Sequence, residues 1–115
     1  MSVHGFPNFA MLYGPNTNLG HNSITLMLEN QVGFAVQALK GLRDTNKAAM
    51  DVTAAAQARF NENLQQALGK TTWADPSCHS WYKNDKGHIT QNWSSSVRDY
   101  AQATSQVAWD DFDVR

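Results

Sequence analysis

The sequence predicts an α/β fold that is mostly helical, with one buried strand and an irregular, aromatic-rich tail, in a single segment spanning residues 1–115. Three observations predict it. A short, continuously apolar run, Phe9 to Tyr13 ("FAMLY"), stops at Gly14-Pro15, as a strand covered on both faces does. Apolar residues then recur at helical spacing in two long stretches. Beyond them, residues 71–93 carry Trp and Tyr with neither helical nor strand periodicity.

The first helix is expected from Gly20 or His21 to about Arg43. Ile24, Leu28, Val32, Ala35, Leu39 and Leu42 form one apolar stripe, and Leu26, Met27 and Phe34 widen it. Gly41 weakens the last turn slightly. "MDVT", residues 50–53, reads as a short extended piece. Thr53 is placed to cap a second helix, Ala54 to Leu68, with Gly69 as its stop and Phe60, Leu64, Ala67 and Leu68 on its inner face. In the tail, Asp75-Pro76 and Asp85-Lys86-Gly87 are turn signals, and "SWY" and "HIT" on either side of the second turn can pair. A last helix is expected from Ser96 to Ala108. Ser96 and Asp99 make a capping box there.

A parallel strand requires sister strands reached by crossovers, and the sequence contains none. The chain therefore reads as the end of a larger α/β domain. The residues leave a second reading open, a small helical domain in which Phe9–Tyr13 is a packed segment.

Composition narrows the function. Nine basic residues against ten acidic ones, a net charge of -1, provide no electrostatic footprint for nucleic acid or for an anionic membrane. No apolar run approaches the roughly 20 residues that span a bilayer. The N-terminus lacks the pattern of a secretory signal. A lone cysteine, Cys78, forms no internal disulfide and fits a reducing, cytoplasmic setting. Asn92-Trp93-Ser94 matches a glycosylation sequon by chance in such a setting. Cys78, His79 and His88 match no zinc spacing, so no metal ligand is assigned. His21 and Ser23 lack an acid partner and a nucleophile elbow, so no catalytic residue is assigned either.

Two stretches carry chemistry. In the loop after Gly14-Pro15, Asn16, Thr17 and Asn18 precede a helix N-terminus, whose amides lack internal partners and carry about half a positive charge. Gly14 and Gly20 allow a flat ligand to approach the backbone, and the asparagines offer donors and acceptors to a heterocycle edge. An ordinary turn with Asx-type bonds capping the helix accounts for the same residues. In "CHSWYKNDKG", Trp81 and Tyr82 sit among Lys83, Asn84 and Lys86, a mixture suited to a nucleotide or to packing of the tail.

"GFPNFAMLYGPNTNLGHNSITLMLENQVGFAVQAL" resembles the C-terminal part of flavin-containing monooxygenases of the Baeyer–Villiger type, in the branch that includes 4-hydroxyacetophenone monooxygenase. The resemblance continues through "DVTAAAQARFNENLQQALGKTTWADPSCHSWYKNDKGHITQNW" and covers nearly the whole chain. It implies the C-terminal segment of a FAD-binding, Rossmann-like domain, with Gly14, Pro15, Asn16, Thr17, Asn18 and Leu19 on the flavin-ring side. It places Trp81 where relatives approach NADP. Relatives often read G-A-N after that tryptophan, whereas this chain has Lys83 to Gly87. The implied reaction uses NADPH, FAD and O2 to insert one oxygen atom into a ketone or onto a soft heteroatom of a small organic substrate. No G-x-G-x-x-G is present, so the resemblance implies an upstream remainder as partner and an inactive chain in isolation. A non-catalytic remnant acting as a helical interaction module is the alternative.

Overall fold

Two three-residue strands fasten the middle of the chain to its C-terminus. In the computed structural model, which describes residues 1–20, 23–77 and 80–115, the order is α1 (Ile24–Asp44), β1 (Met50–Val52), α2 (Ala54–Leu68), α3 (Val97–Ala103) and β2 (Phe112–Val114). Single 3-10 turns lie at Thr72–Ala74 and Trp109–Asp111. The sheet is antiparallel, pairing Met50 with Val114, Asp51 with Asp113 and Val52 with Phe112. The fold is therefore a small α/β arrangement dominated by helix.

Local signals are realised closely in α2. The Thr53 side chain accepts from the Ala56 amide, and the helix ends at Leu68 before Gly69. Gly69 itself is right-handed, φ -60°, so the stop does not use the left-handed freedom of glycine. Leu64 and Leu68 are buried as expected, while Phe60 is exposed. The capping box of α3 forms with both of its bonds between Ser96 and Asp99. That helix is shorter than expected, ending at Ala103, because the chain must turn back to pair β2 with β1. The turn at Gly87, φ +76°, brings Lys83 opposite Ile89 as an antiparallel bridge, and the Thr90 amide donates to the Tyr82 carbonyl, which joins the two stretches expected to pair.

Two expectations are corrected. Phe9–Tyr13 is not a buried strand: Phe9, Met11, Leu12 and Tyr13 are all exposed, and no strand is assigned there. The described residues contain no sister strand to satisfy its backbone. The Tyr13 amide instead donates to Gln31 Oε1 at 2.7 Å, and Tyr13 adopts φ +52°, which breaks the extended path. The stripe of α1 is also displaced. Met27, Gln31, Ala38 and Leu42 face inward, whereas Ile24, Val32 and Leu39 are exposed. The expected stripe thus lies largely beside the buried face. Of the two expected starts, Gly20 is a turn residue ahead of the helix, which begins at Ile24, and His21 lies outside the described residues.

The core is divided. Leu19, Met27 and Tyr100 form one cluster with Trp93 and Val97. Ala38, Leu42 and Met50 form a second with Val107, Phe112 and Val114. Leu64, Leu68 and Ile89 form a third with Trp73, Ala74, Tyr82 and Trp93. The molecule is elongated, 52 × 27 × 18 Å, with a radius of gyration of 15.0 Å against about 13 Å for a globule of this length. Its accessible surface, 7476 Å², exceeds the roughly 6,300 Å² typical of a folded monomer of its size. Among the described residues no helix is long and apolar enough to cross a membrane.

Two glycines make opposite predictions. A Cβ on Gly69 would sit 3.4 Å from the Gln65 carbonyl, an ordinary contact, so Gly69→Ala should raise stability by about 0.4–1 kcal/mol in urea unfolding. A Cβ on Gly41 would lie 2.1 Å from Cζ2 of Trp109, so Gly41→Ala should lower the melting temperature and red-shift indole fluorescence. Asp99 supplies a pH test. Hydrogen bonds from the Ser95 side chain, then from Ser96, hold its carboxyl below the ordinary 3.8. A depressed folded-state pKa contributes stability above the unfolded value that is lost as pH falls through the folded one. Acid titration followed by circular dichroism should therefore weaken α3 below about pH 3.8, and Ser96→Ala should flatten that dependence.

Candidate functional site

The Gly14–Leu19 loop is locked onto the tail segment 89–93. The Asn16 amide donates to the Thr90 carbonyl at 3.0 Å, the Asn18 amide to Gln91 at 2.9 Å, and the Trp93 amide returns to the Asn18 carbonyl at 2.8 Å. Asn18 and Asn92 form a parallel bridge. Side chains repeat the attachment. Asn16 Nδ2 donates to the carbonyls of Ile89 at 2.7 Å and Asn92 at 3.0 Å. Asn18 Nδ2 donates to Asn92 Oδ1 at 3.1 Å, and Asn18 Oδ1 accepts from the Tyr13 hydroxyl at 3.2 Å. The asparagine amides therefore bind the tail rather than capping α1.

Within the loop, Thr17 is buried and its hydroxyl donates to the Gly14 carbonyl at 2.6 Å, closing a tight turn. Asn16 sits at φ +58°, so the loop and the residue before Gly14 hold two non-glycine residues in the left-handed region. Asparagine tolerates that conformation; a tyrosine there is strained unless its surroundings hold it. Leu19 is the anchor, buried against Met27 and Tyr100. Pro15 and Gly20 remain exposed, and a Cβ on Gly20 would meet nothing within 4 Å, so the backbone there is open to a flat group.

Beneath the loop, Tyr100 packs edge-on to Trp93, ring centres 5.1 Å apart. Burial raises the Tyr100 phenol above its usual range, and the Gln31 side chain opposes the rise. Among the described residues neither Gln31 Nε2 nor Asn92 Nδ2 has a hydrogen-bond partner of ordinary geometry. Both residues are fully buried and both touch the loop, through Tyr13 and Asn18. Asn92 is 1% exposed, which puts its sequon out of reach in the folded chain.

Trp81 stands apart. It is 71% exposed and leans on Tyr82, ring centres 4.5 Å apart and tilted by 42°. No hydrogen bond or ring contact joins it to the loop, although the Thr90 amide donates to the Tyr82 carbonyl one residue away. The structure thus brings Gly14 to Leu19 together as one unit and leaves Trp81 on a neighbouring turn. Cys78 and His79 lie outside the described residues. Among the described residues no three His, Cys, Asp or Glu side chains are grouped to hold a metal.

The residues that sequence reasoning missed are Gln31, Gln65 and Asn92. Gln65 clamps Ile89 by accepting from its amide at 3.2 Å and donating to its carbonyl at 2.9 Å. The Ile89 carbonyl therefore receives Asn16 and Gln65 together. No local pattern marks these amides, because their partners lie far away in sequence.

No family model matches the chain, and no solved structure matches it. Curated relatives do. The chain is 47% identical over 118 aligned residues to "FAD-binding monooxygenase ktnD" of Aspergillus niger, covering 97% of this chain and 19% of that protein. It is 44% identical over 78 residues to a "Baeyer-Villiger monooxygenase" of Pseudomonas aeruginosa, covering 68% of this chain and 15% of that protein. A "Baeyer-Villiger monooxygenase" of Streptomyces coelicolor is 32% identical over 111 residues, 96% of this chain and 21% of that protein. The chain belongs to the family of FAD-binding and Baeyer–Villiger monooxygenases. It spans about a fifth of the length of the curated relatives it matches.

The seam makes a graded prediction. Asn16→Ala removes two hydrogen bonds and leaves a strained φ, and should cost about 2–3 kcal/mol in urea unfolding. Asn18→Ala also removes two side-chain hydrogen bonds but leaves no left-handed φ, and should cost less, about 1–2 kcal/mol. Equal, negligible losses would show that the loop is not held by its amides.

Proposed function

We propose that the chain is the C-terminal segment of the FAD-binding, Rossmann-like domain of a cytoplasmic, NADPH-dependent monooxygenase. The complete enzyme inserts one oxygen atom from O2 into a ketone or onto a soft heteroatom of a small organic molecule. The observation that carries this reading is the Gly14–Leu19 loop at the entrance to α1, within a segment 47% identical to a FAD-binding monooxygenase.

The residues present fit a flavin ring in a specific sense. The side chains of Asn16 and Asn18 are spent on the tail, so contact with the ring falls to the backbone of Gly14, Pro15, Asn16, Thr17, Asn18 and Leu19. The open backbone at Gly20 and the positive end of α1 lie next to it. The first turn of α1 holds no acidic residue, so no carboxylate of its own neutralises that end. Bound FAD supplies the redox chemistry with NADPH and O2. The chain's own part is to position the ring edge, to favour negative charge there and to keep water from one side. Trp81, exposed on its turn, offers an indole face and one N–H to the nicotinamide cofactor.

A second reading, a non-catalytic interaction module, draws on the exposed apolar residues of α1. Flavin uptake separates the two. Graft this chain into the Aspergillus niger relative in place of its matching segment. Under the enzyme reading the chimera binds FAD, whereas the isolated 115-residue chain leaves flavin fluorescence unquenched. In that chimera Trp81→Ala should weaken NADPH binding about ten-fold and raise hydrogen peroxide release while FAD stays bound. Because Trp81 is so exposed, the same change should alter unfolding of the isolated chain by only about 0.5 kcal/mol. Unchanged NADPH binding removes Trp81 from the site.

A further inference from the structure

We propose that Gln31 and Tyr13 are a pair of positioning residues for the Gly14–Leu19 backbone, Gln31 by fixing Tyr13 to α1 and Tyr13 by closing the loop across to Asn18. This role rests on the flavin reading above and adds to it the residues that hold the ring-facing backbone against the helix end. Both act through the loop and are assigned no contact with the ring.

Tyr13 is the strained point of the segment. It stands at φ +52°, immediately before Gly14, in a region that a bulky side chain adopts only where its surroundings enforce it. Two bonds at opposite ends of the residue do so. Its amide donates to Gln31 Oε1 at 2.7 Å, and its hydroxyl donates to Asn18 Oδ1 at 3.2 Å. The second bond spans the loop and encloses the inner one, in which the Thr17 hydroxyl donates to the Gly14 carbonyl. Tyr13 is 46% exposed, so burial does not account for its conformation.

Gln31 supplies the other half. It is fully buried, about two turns into α1. Its Oε1 carries the Tyr13 amide, while its Nε2 has no hydrogen-bond partner of ordinary geometry among the described residues. A buried amide with one half unmet costs stability, and an apolar side chain of like length would remove that cost. Packing therefore does not explain a glutamine here, whereas the bond to Tyr13 does. That bond joins the strained residue at the loop's entrance to a side chain rooted in α1. It thereby fixes the loop backbone relative to the helix whose positive end lies beside it.

The consequence is electrostatic. Under the flavin reading, the loop backbone and the helix end favour negative charge at the ring. Dipoles of this kind stabilise charge most when they are held in place beforehand. Releasing Tyr13 loosens that hold, which weakens binding of the negatively charged reduced ring more than binding of the neutral oxidised one.

Gln31→Met keeps the length and volume of the side chain and removes the acceptor. In the isolated 115-residue chain, hydrogen exchange should quicken about ten-fold at the amides of Tyr13, Asn16 and Asn18. Leu64 and Leu68 in α2 should exchange as before, and the melting temperature should not fall. In the Aspergillus niger chimera, the same change should weaken reduced-flavin binding about ten-fold relative to oxidised, a fall of about 30 mV in the two-electron potential, with FAD still bound. Tyr13→Phe removes only a hydroxyl from an exposed residue and should shift the potential in the same direction. The double variant should shift it no further than Gln31→Met alone. Unchanged potentials in both variants overturn the proposal. So does a Gln31→Met protein that melts lower while its loop exchange and potential stay put, since the glutamine then serves stability only. Should Gln31→Met not fold, Tyr13→Phe decides alone, and an unchanged potential overturns the proposal. An unsubstituted chimera that takes up no FAD removes the flavin reading itself, and this role with it.

Discussion

The rest of the structure depends on the amide seam between residues 16–18 and 89–93. Its partners lie 73 to 76 residues apart, so the seam closes a long loop. The entropy of closure grows only logarithmically with length, by about 0.6 kcal/mol per doubling. Several hydrogen bonds between half-buried groups offset such a cost. The Ile89 carbonyl is the junction. Its two lone pairs take Asn16 from the loop and Gln65 from α2, which couples the loop before α1 to the second helix through one atom. Of the apolar groups, Trp93 alone belongs to both clusters on either side of this junction.

The division of the core follows from the same geometry. Each cluster has three buried residues, and each forms where two elements meet rather than around one centre. Such clusters are satellites of a core more than a core. The β1–β2 pair illustrates the result. It holds α1 to the C-terminus through Leu42, Met50 and Phe112, yet it places Asp51 directly across from Asp113. Like charges in that register are unfavourable. The Gly5 amide, 3.1 Å and 3.2 Å from the two oxygens of Asp51, draws one carboxylate toward the N-terminal arm.

What could be read from the sequence was what is decided locally. A threonine before Ala54, a glycine after Leu68, and Ser96 three residues ahead of Asp99 act within one helical turn, and the structure realises each. The strand at Phe9–Tyr13 was a statement about its surroundings, since an apolar run becomes a strand only where neighbours complete its hydrogen bonds. The displaced face of α1 has the same origin. Periodicity located a helix that is apolar over a wide arc, but which part of the arc is covered depends on what packs there. Even the buried Gln31 was invisible, because a polar residue on that face reads as solvent-facing until Tyr13 is found donating to it. The loop at Gly14–Leu19 was legible as a unit, whereas the task of its asparagines was not. Their partners at Ile89 and Asn92 are set by the tail's path.

That division of labour has a consequence for recognition. A loop whose asparagine side chains met a ligand directly would be free to rearrange in its absence. Here the side chains face the protein, Thr17 closes the turn from within, and Leu19 is pinned in the core, so the backbone is held in one arrangement by the chain itself. The ordering cost of the loop is therefore met during folding, and under the flavin reading proposed above it would not weaken binding. The contrast between helices sharpens the point. The short α3 fills its own positive end with Asp99. The 21-residue α1 begins Ile-Thr-Leu-Met, with Met27 buried in the core and Ile24 and Leu26 exposed. Its first turn carries no acidic side chain, so unlike α3 it has no carboxylate of its own first turn at its positive end.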